Sequence, residues 1–139
     1  MPALNPYLHF NGNAEEVFNF YKSVFGGDFM VVQRYKDAPP SEHISGAEAN
    51  WIMHIALPIG PSVLMASDRP ASFGGVNMGD SFFISINADS EGETKRIYDA
   101  LSAGGKVHMP LDKTFWGSYF GMFSDKYGIQ WMVNYDYKK

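Results

Sequence analysis

The sequence contains no cysteine. Disulfides, thiolate metal ligands and cysteine nucleophiles are thereby excluded, while the redox compartment stays open because there is no thiol to keep reduced. Long apolar runs are missing too: no window approaches the ~20 residues of a membrane-spanning helix, so no membrane partner is expected. The net charge is −4, and no stripe of Lys and Arg is present to follow a phosphate backbone, which argues against a nucleic-acid partner. The opening MPALNPYLHF lacks a basic segment leading into an apolar one, and a cytoplasmic location is the expectation. No Ser-His-Asp order, phosphate-binding glycine loop or His-Glu-x-x-His helix occurs, so those reaction classes have no basis here.

What is present is a chain of 139 residues, long enough to bury a core as one domain spanning 1–139. Eleven Phe and eight Tyr fit a β-rich core and an apolar cavity equally well. They are dense in Thr114 to Asn134, which reads as a hairpin. Tyr119 to Phe123 and Ile129 to Val133 are its strands, and the Ser124-Asp125-Lys126-Tyr127-Gly128 run supplies turn chemistry. In the second strand Ile129, Trp131 and Val133 alternate with Gln130, Met132 and Asn134, which predicts one face on a core and one softer, polar face.

Upstream, Leu4 to Phe10 predicts a strand with Leu4, Leu8 and Phe10 on one face and Tyr7 and His9 on the other. Asn13 and Glu16 stand at capping-box spacing before a helical stripe of Val17, Phe18, Tyr21, Val24 and Phe25, and Gly26-Gly27 ends it. Phe29 to Tyr35 reads as a second strand. The irregular stretch from Lys36 to Glu48, with Pro39-Pro40 and Gly46, has the composition of a lid or mobile loop. Trp51 to Leu57 and Ser62 to Ala66 predict two further strands around Pro58-Ile59-Gly60-Pro61. After a turn-rich linker the order repeats: a strand at Phe82 to Asn87, a Ser90/Glu93 capping box, a stripe of Thr94, Ile97, Tyr98 and Leu101, then Gly104-Gly105. Val107 to Met109 predicts a short strand ahead of the hairpin. The chain therefore divides into a βαβββ module over 1–68, a linker over 69–80 and a second βαβββ module over 81–139.

Two consecutive βαβββ units resemble the vicinal oxygen chelate superfamily of glyoxalases, bleomycin-resistance proteins and dioxygenases. The stretches NPYLHFNGNAEEVFNFYKSVFGG, IMHIALPIGPSVLMASD and LSAGGKVHMPLDKTFWGSYFGMFSDKYGIQWMVN are similar to its PhnB-like branch. The resemblance implies an α+β fold of two tandem modules forming curved, half-closed mixed sheets around a cavity, commonly as a homodimer. Members of this branch often carry a demethylubiquinone methyltransferase label, yet no strand here runs into a glycine-rich turn and helix able to seat S-adenosylmethionine. Enzymes of the wider superfamily hold one divalent metal with His and Glu side chains. At the matching places this chain reads Gln130-Trp131-Met132, Val63-Leu64-Met65 and Ser81-Phe82-Phe83-Ile84-Ser85, with no imidazole or carboxylate, so the resemblance implies a dismantled metal site.

The residues themselves leave several readings open. His54 is a hydrogen-bonded core histidine or, as the resemblance favours, a cavity residue, and His9 on the non-core face is placed to meet it across the sheet. Together they would form at most a partial metal site, since stable catalytic sites offer three protein ligands. His43 and His108 read as solvated. Asp68 and Asp125 have the chemistry of an acid or base but the Ser-Asp context of turn caps, and for Asp125 the structural role is favoured. Trp116, beside Gly117, lines a pocket or anchors a dimer contact. The expected ligand-binding set is His9, His54, Met65, Trp116, Gln130, Met132 and Asn134. The expected function is small-molecule binding in a cavity between the two modules of a homodimer, with no cofactor and no tightly bound metal. A metal-dependent lyase, isomerase or dioxygenase with a relocated site, and an interaction module with a vestigial pocket, are the alternatives.

Overall fold

Apolar residues two apart in strands and three or four apart in helices build each half of the chain, as seen in a computed structural model that describes residues 2–137. Residues 1, 138 and 139 of the expected modules lie outside the described residues. Contacts divide the chain into two units, Met1–Asn77 and Met78–Lys139.

In the first unit the strands are β1 (Tyr7–Phe10), β2 (Val31–Arg34), β3 (Ile52–Ile59) and β4 (Ser62–Asp68), with helix α1 (Ala14–Phe25) after β1. Their order in the sheet is β1-β4-β3-β2, with β1 parallel to β4 and the other pairs antiparallel. Leu8, Phe10, Ile55, Leu57, Leu64 and Ala66 are buried under Val17, Phe18, Tyr21 and Val24 of α1, and Phe10 meets Phe18 edge-on at 6.5 Å between ring centroids. Burying side chains of this size contributes about 1.5–3 kcal/mol each.

Two local expectations are corrected here. Leu4 is not in the strand and is 96% exposed, because pairing with β4 begins only at Tyr7. Asn13 makes no side-chain cap bond; the start of α1 is held instead by Asp68 at the end of β4, whose Oδ1 accepts from the N–H groups of Gly12 and Ala14 at 2.9 Å each. A carboxylate from a strand thus replaces the local cap. The stretch expected to be a lid contains 3-10 turns at Tyr35–Asp37 and Gly46–Glu48, and the expected linker holds another at Ala71–Phe73. Buried Glu48 ties the two regions together by accepting from the N–H groups of Ser45 at 3.0 Å and Ala71 at 2.8 Å.

The second unit repeats the topology with β5 (Ile84–Asn87), α2 (Glu91–Ser102), β6 (Lys106–Lys113), β7 (Ser118–Ser124) and β8 (Gln130–Asp136), in sheet order β5-β8-β7-β6. Here the local N-cap forms: Ser90 Oγ accepts from Glu93 N, while Glu93 Oε1 reaches one residue past the N-cap and accepts from Asp89 N in place of the expected reciprocal bond. Ile129, Trp131 and Val133 are buried while Gln130, Met132 and Asn134 are half-buried, as the alternation predicts. The strand expected at Val107 to Met109 is eight residues long, because pairing with β7 recruits residues of poor strand propensity. It is an edge strand with register shifts on both sides of Met109, and Pro110, which has no N–H to donate, is tolerated there. Among the described residues no helix is long and apolar enough to cross a membrane.

Candidate functional site

Period-two alternation decides what the helix-free face of the first sheet carries. β1 contributes Tyr7 and His9, β4 contributes Met65 and Ser67, β3 contributes His54 and Ala56, and β2 contributes Gln33 opposite His54. Tyr7 lies between the two imidazoles. Its ring centroid is 5.6 Å from that of His54, stacked at 20°, and 5.6 Å from that of His9, tilted at 44°. The Tyr7 hydroxyl is 3.0 Å from His54 Nδ1, and Ser67 Oγ is 3.3 Å from His9 Nδ1. His9, His54 and Met65 therefore share one face, and each imidazole is engaged at Nδ1 by a hydroxyl. Burial first, and the Arg69 guanidinium second, hold the His9 imidazole below the ordinary histidine value, so it is mainly neutral at pH 7.

Asp68 stands at the end of β4 but gives its oxygens to the backbone, since besides Gly12 and Ala14 it accepts from Ile52 N through Oδ2 at 2.8 Å. Asp125 does the same in the β7–β8 turn. Its Oδ1 accepts from the N–H groups of Tyr127 and Ile129, and its Oδ2 accepts from Trp131 Nε1 at 2.9 Å. Both carboxylates are spent on structure, which removes the acid–base reading of either.

In the second unit the helix-free face reads along β8 as Gln130, Met132 and Asn134. Gln130 sits with His108 and Ser124: His108 Nε2 is 2.9 Å from Ser124 Oγ and 3.1 Å from Gln130 Oε1. His108 is thus a member of a polar cluster rather than merely solvated, and the Phe83 ring meets it edge-on at 6.1 Å. Met132 pairs with Ser85 on one side and Met122 on the other. Asn134 donates to Asp136 Oδ1 at 3.0 Å and pairs with Phe120. Trp116 lies in the turn between β6 and β7, 56% exposed, and packs edge-on against Phe115 at 5.0 Å and Phe120 at 6.2 Å. Trp116 and Asn134 therefore meet at Phe120, at the opposite end of the face from Gln130 and His108.

A hollow of about 480 Å³ lies elsewhere in the first unit, beneath the 36–46 stretch, lined by residues that include Tyr35, Pro39, His43, Ile44, Met53 and Phe73. None of the seven expected ligand-binding residues lines it. Its lining is mainly apolar, with Lys36, Ser41, His43 and Ser45 among it, whereas the sheet face gathers two imidazoles and two hydroxyls, which makes that face the better candidate.

The donor set decides whether a catalytic cation fits. A hard or borderline divalent ion needs about three oxygen or imidazole ligands. Among the described residues no three His, Asp or Glu side chains gather to hold one. The imidazoles of His9 and His54 have hydroxyls at Nδ1, Asp68 is turned onto N–H donors, and Arg69 adds positive charge nearby. These residues do not fit the metal held by enzymes of the resembled superfamily. Alternation in the sequence put Tyr7 on this face with His9 without naming it as a site residue, and it missed Ser67 and Arg69, which continue the Met65 alternation beyond the expected end of that strand.

Comparison with known proteins agrees with the topology. The family model of the glyoxalase/bleomycin resistance protein/dioxygenase superfamily matches residues 3–133. Protein YjdN of Escherichia coli is 30% identical over 94% of this chain and 93% of its own length. Among solved structures, protein PA1353 of Pseudomonas aeruginosa is 38% identical with a TM-score of 0.88, covering 98% of both chains. A PhnB protein of Bacillus cereus, which bears a 3-demethylubiquinone-9 3-methyltransferase label, is 24% identical with a TM-score of 0.74, covering 96% of this chain and 99% of that one, a likeness of fold. The chain belongs to the glyoxalase/bleomycin resistance protein/dioxygenase superfamily and has a PhnB-like fold.

Proposed function

We propose that this protein is a cytoplasmic homodimer that binds a small organic molecule without a tightly held metal. His9, His54 and Met65 on the face of the first unit, and Trp116, Gln130, Met132 and Asn134 on that of the second, are the residues proposed for ligand binding. The observation that carries the reading is the Tyr7–His9–His54 cluster, in which aromatic and imidazole surface is lined up with hydroxyls and a thioether but no available carboxylate. Such a face offers flat apolar area and a few fixed polar atoms, the usual makeup of an organic ligand site. The methyltransferase label of the Bacillus protein is not carried over. β1 leads into α1 through Asn11-Gly12-Asn13, a turn with a single glycine and no room for a cofactor cradle of the dinucleotide type.

Thermal-shift screening of a small-metabolite library, with and without EDTA, tests this reading. Ligands that raise the melting midpoint equally in both conditions are the expected result. If every stabilising ligand loses its effect in EDTA, the metal-free reading is wrong. Support for the proposed dimer comes from exposed apolar side chains that a partner would cover, among them Met30, Val32, Phe82 and Phe115.

A further inference from the structure

The geometry points to an oxyanion, a carboxylate or phosphate group on a small organic molecule, as the feature recognised by the Tyr7, His9, His54, Ser67 and Arg69 face of the first sheet. This inference rests on the small-molecule reading above and specifies the chemistry of its ligand.

Three observations support it. The first is the hydroxyl set against Nδ1 of each imidazole. A phenol donates more readily than it accepts, so we assign Tyr7 as the donor to His54 Nδ1 and, likewise, the Ser67 hydroxyl as the donor to His9 Nδ1. With Nδ1 accepting in a neutral ring, the proton sits on Nε2. Both rings then offer an N–H donor on their second nitrogen, where a metal would need a lone pair.

The second observation is placement. Met65 and Ser67 face the cluster, and strand alternation carries Arg69 to the same side. The ladder continues that far, since Arg69 N donates to Phe10 O at 2.7 Å, beyond the last strand residue, Asp68. The guanidinium donates to Gly75 O at 3.2 Å, which uses one of its five N–H groups, and it is near enough to His9 to weigh on that ring's ionisation.

The third is charge. Asp68 and Glu48, the buried carboxylates of this unit, are committed to backbone N–H groups and are turned away from acting as competing anions. A face with donors, a fixed cation and no available carboxylate repels a divalent cation and attracts an oxyanion, and a charge-assisted bond to guanidinium is roughly twice as strong as a neutral one.

The test is NMR titration of the full chain with ¹⁵N-labelled histidine at pH 7.5. Benzoate and phenyl phosphate serve as anionic probes, benzamide as the neutral isostere and Mn(II) as the cation. Saturable shifts of the His9 and His54 resonances with either anion, and shifts at least fivefold weaker with benzamide, are expected. Arg69→Gln should weaken the apparent anion affinity at least fivefold, and Arg69→Lys should restore most of it; the unchanged amide spectrum of Arg69→Lys guards against a merely unfolded variant. Benzamide binding as tightly as benzoate would overturn the oxyanion inference and leave small-molecule binding standing. Stoichiometric Mn(II) broadening of both histidines, undiminished in Arg69→Gln, would overturn both.

Discussion

At the scale of single residues, the functional face is kept in order by groups that never reach it. Asp68 accepts three backbone N–H bonds, joining the β1–α1 turn to the start of β3 directly behind the His9 and His54 positions. Asp68→Ala leaves three donors without their acceptor, and a loss of about 3 kcal/mol or more in urea unfolding is expected. Asp99→Ala, which removes only an exposed helix pair with Lys95, should leave the midpoint unchanged. His9 gives a pH signature. Its folded value is lowered, chiefly by burial and then by Arg69, so the neutral ring persists to lower pH than in the unfolded chain. The associated stability is present above the ordinary histidine value and is lost as pH falls through the folded one. An NMR titration should place the His9 midpoint below 6.5, and Arg69→Gln should move it upward by removing the second of the two causes.

At the scale of elements, most of the fold was legible in periodicity. The stripes of Val17, Phe18, Tyr21 and Val24 and of Thr94, Ile97 and Leu101 are buried, and so is the Ile129, Trp131, Val133 row. What could not be read was long-range. Asn13 and Ser90 have the same local capping signature, yet Asn13 is displaced by a carboxylate more than fifty residues away in sequence, while Ser90 has no such competitor and caps its own helix. Ser90→Ala should therefore cost about 1 kcal/mol, and Asn13→Ala clearly less, both read by urea denaturation. β6 shows the same limit. Lys106, His108, Pro110 and Asp112 are poor strand formers, and their partner β7 decides the matter. For the candidate site, alternation was sufficient to place His9 with Met65 and Gln130 with Met132. The hydroxyl partners of the imidazoles, and the cluster around His108, depend on cross-strand register that no local pattern specifies.

At the scale of the whole molecule, a duplicated scaffold presents two helix-free sheet faces with different chemistry. The first unit's face has two imidazoles, a phenol and a nearby guanidinium; the second unit's has amides, thioethers, aromatic rings and the single imidazole of His108. Exposed apolar residues in both units, together with edge strands, support the proposed homodimer, and light scattering at micromolar concentration should give twice the 15.6 kDa chain mass. A stable monomer would count against it. The central proposal is that this face takes an organic ligand through N–H and O–H donors rather than through a cation. Elemental analysis of protein purified without added metal or chelator tests it most directly. Far less than one equivalent of any transition or divalent metal per chain is predicted, with no change in His54→Ala; one full equivalent that falls away in His54→Ala would contradict it.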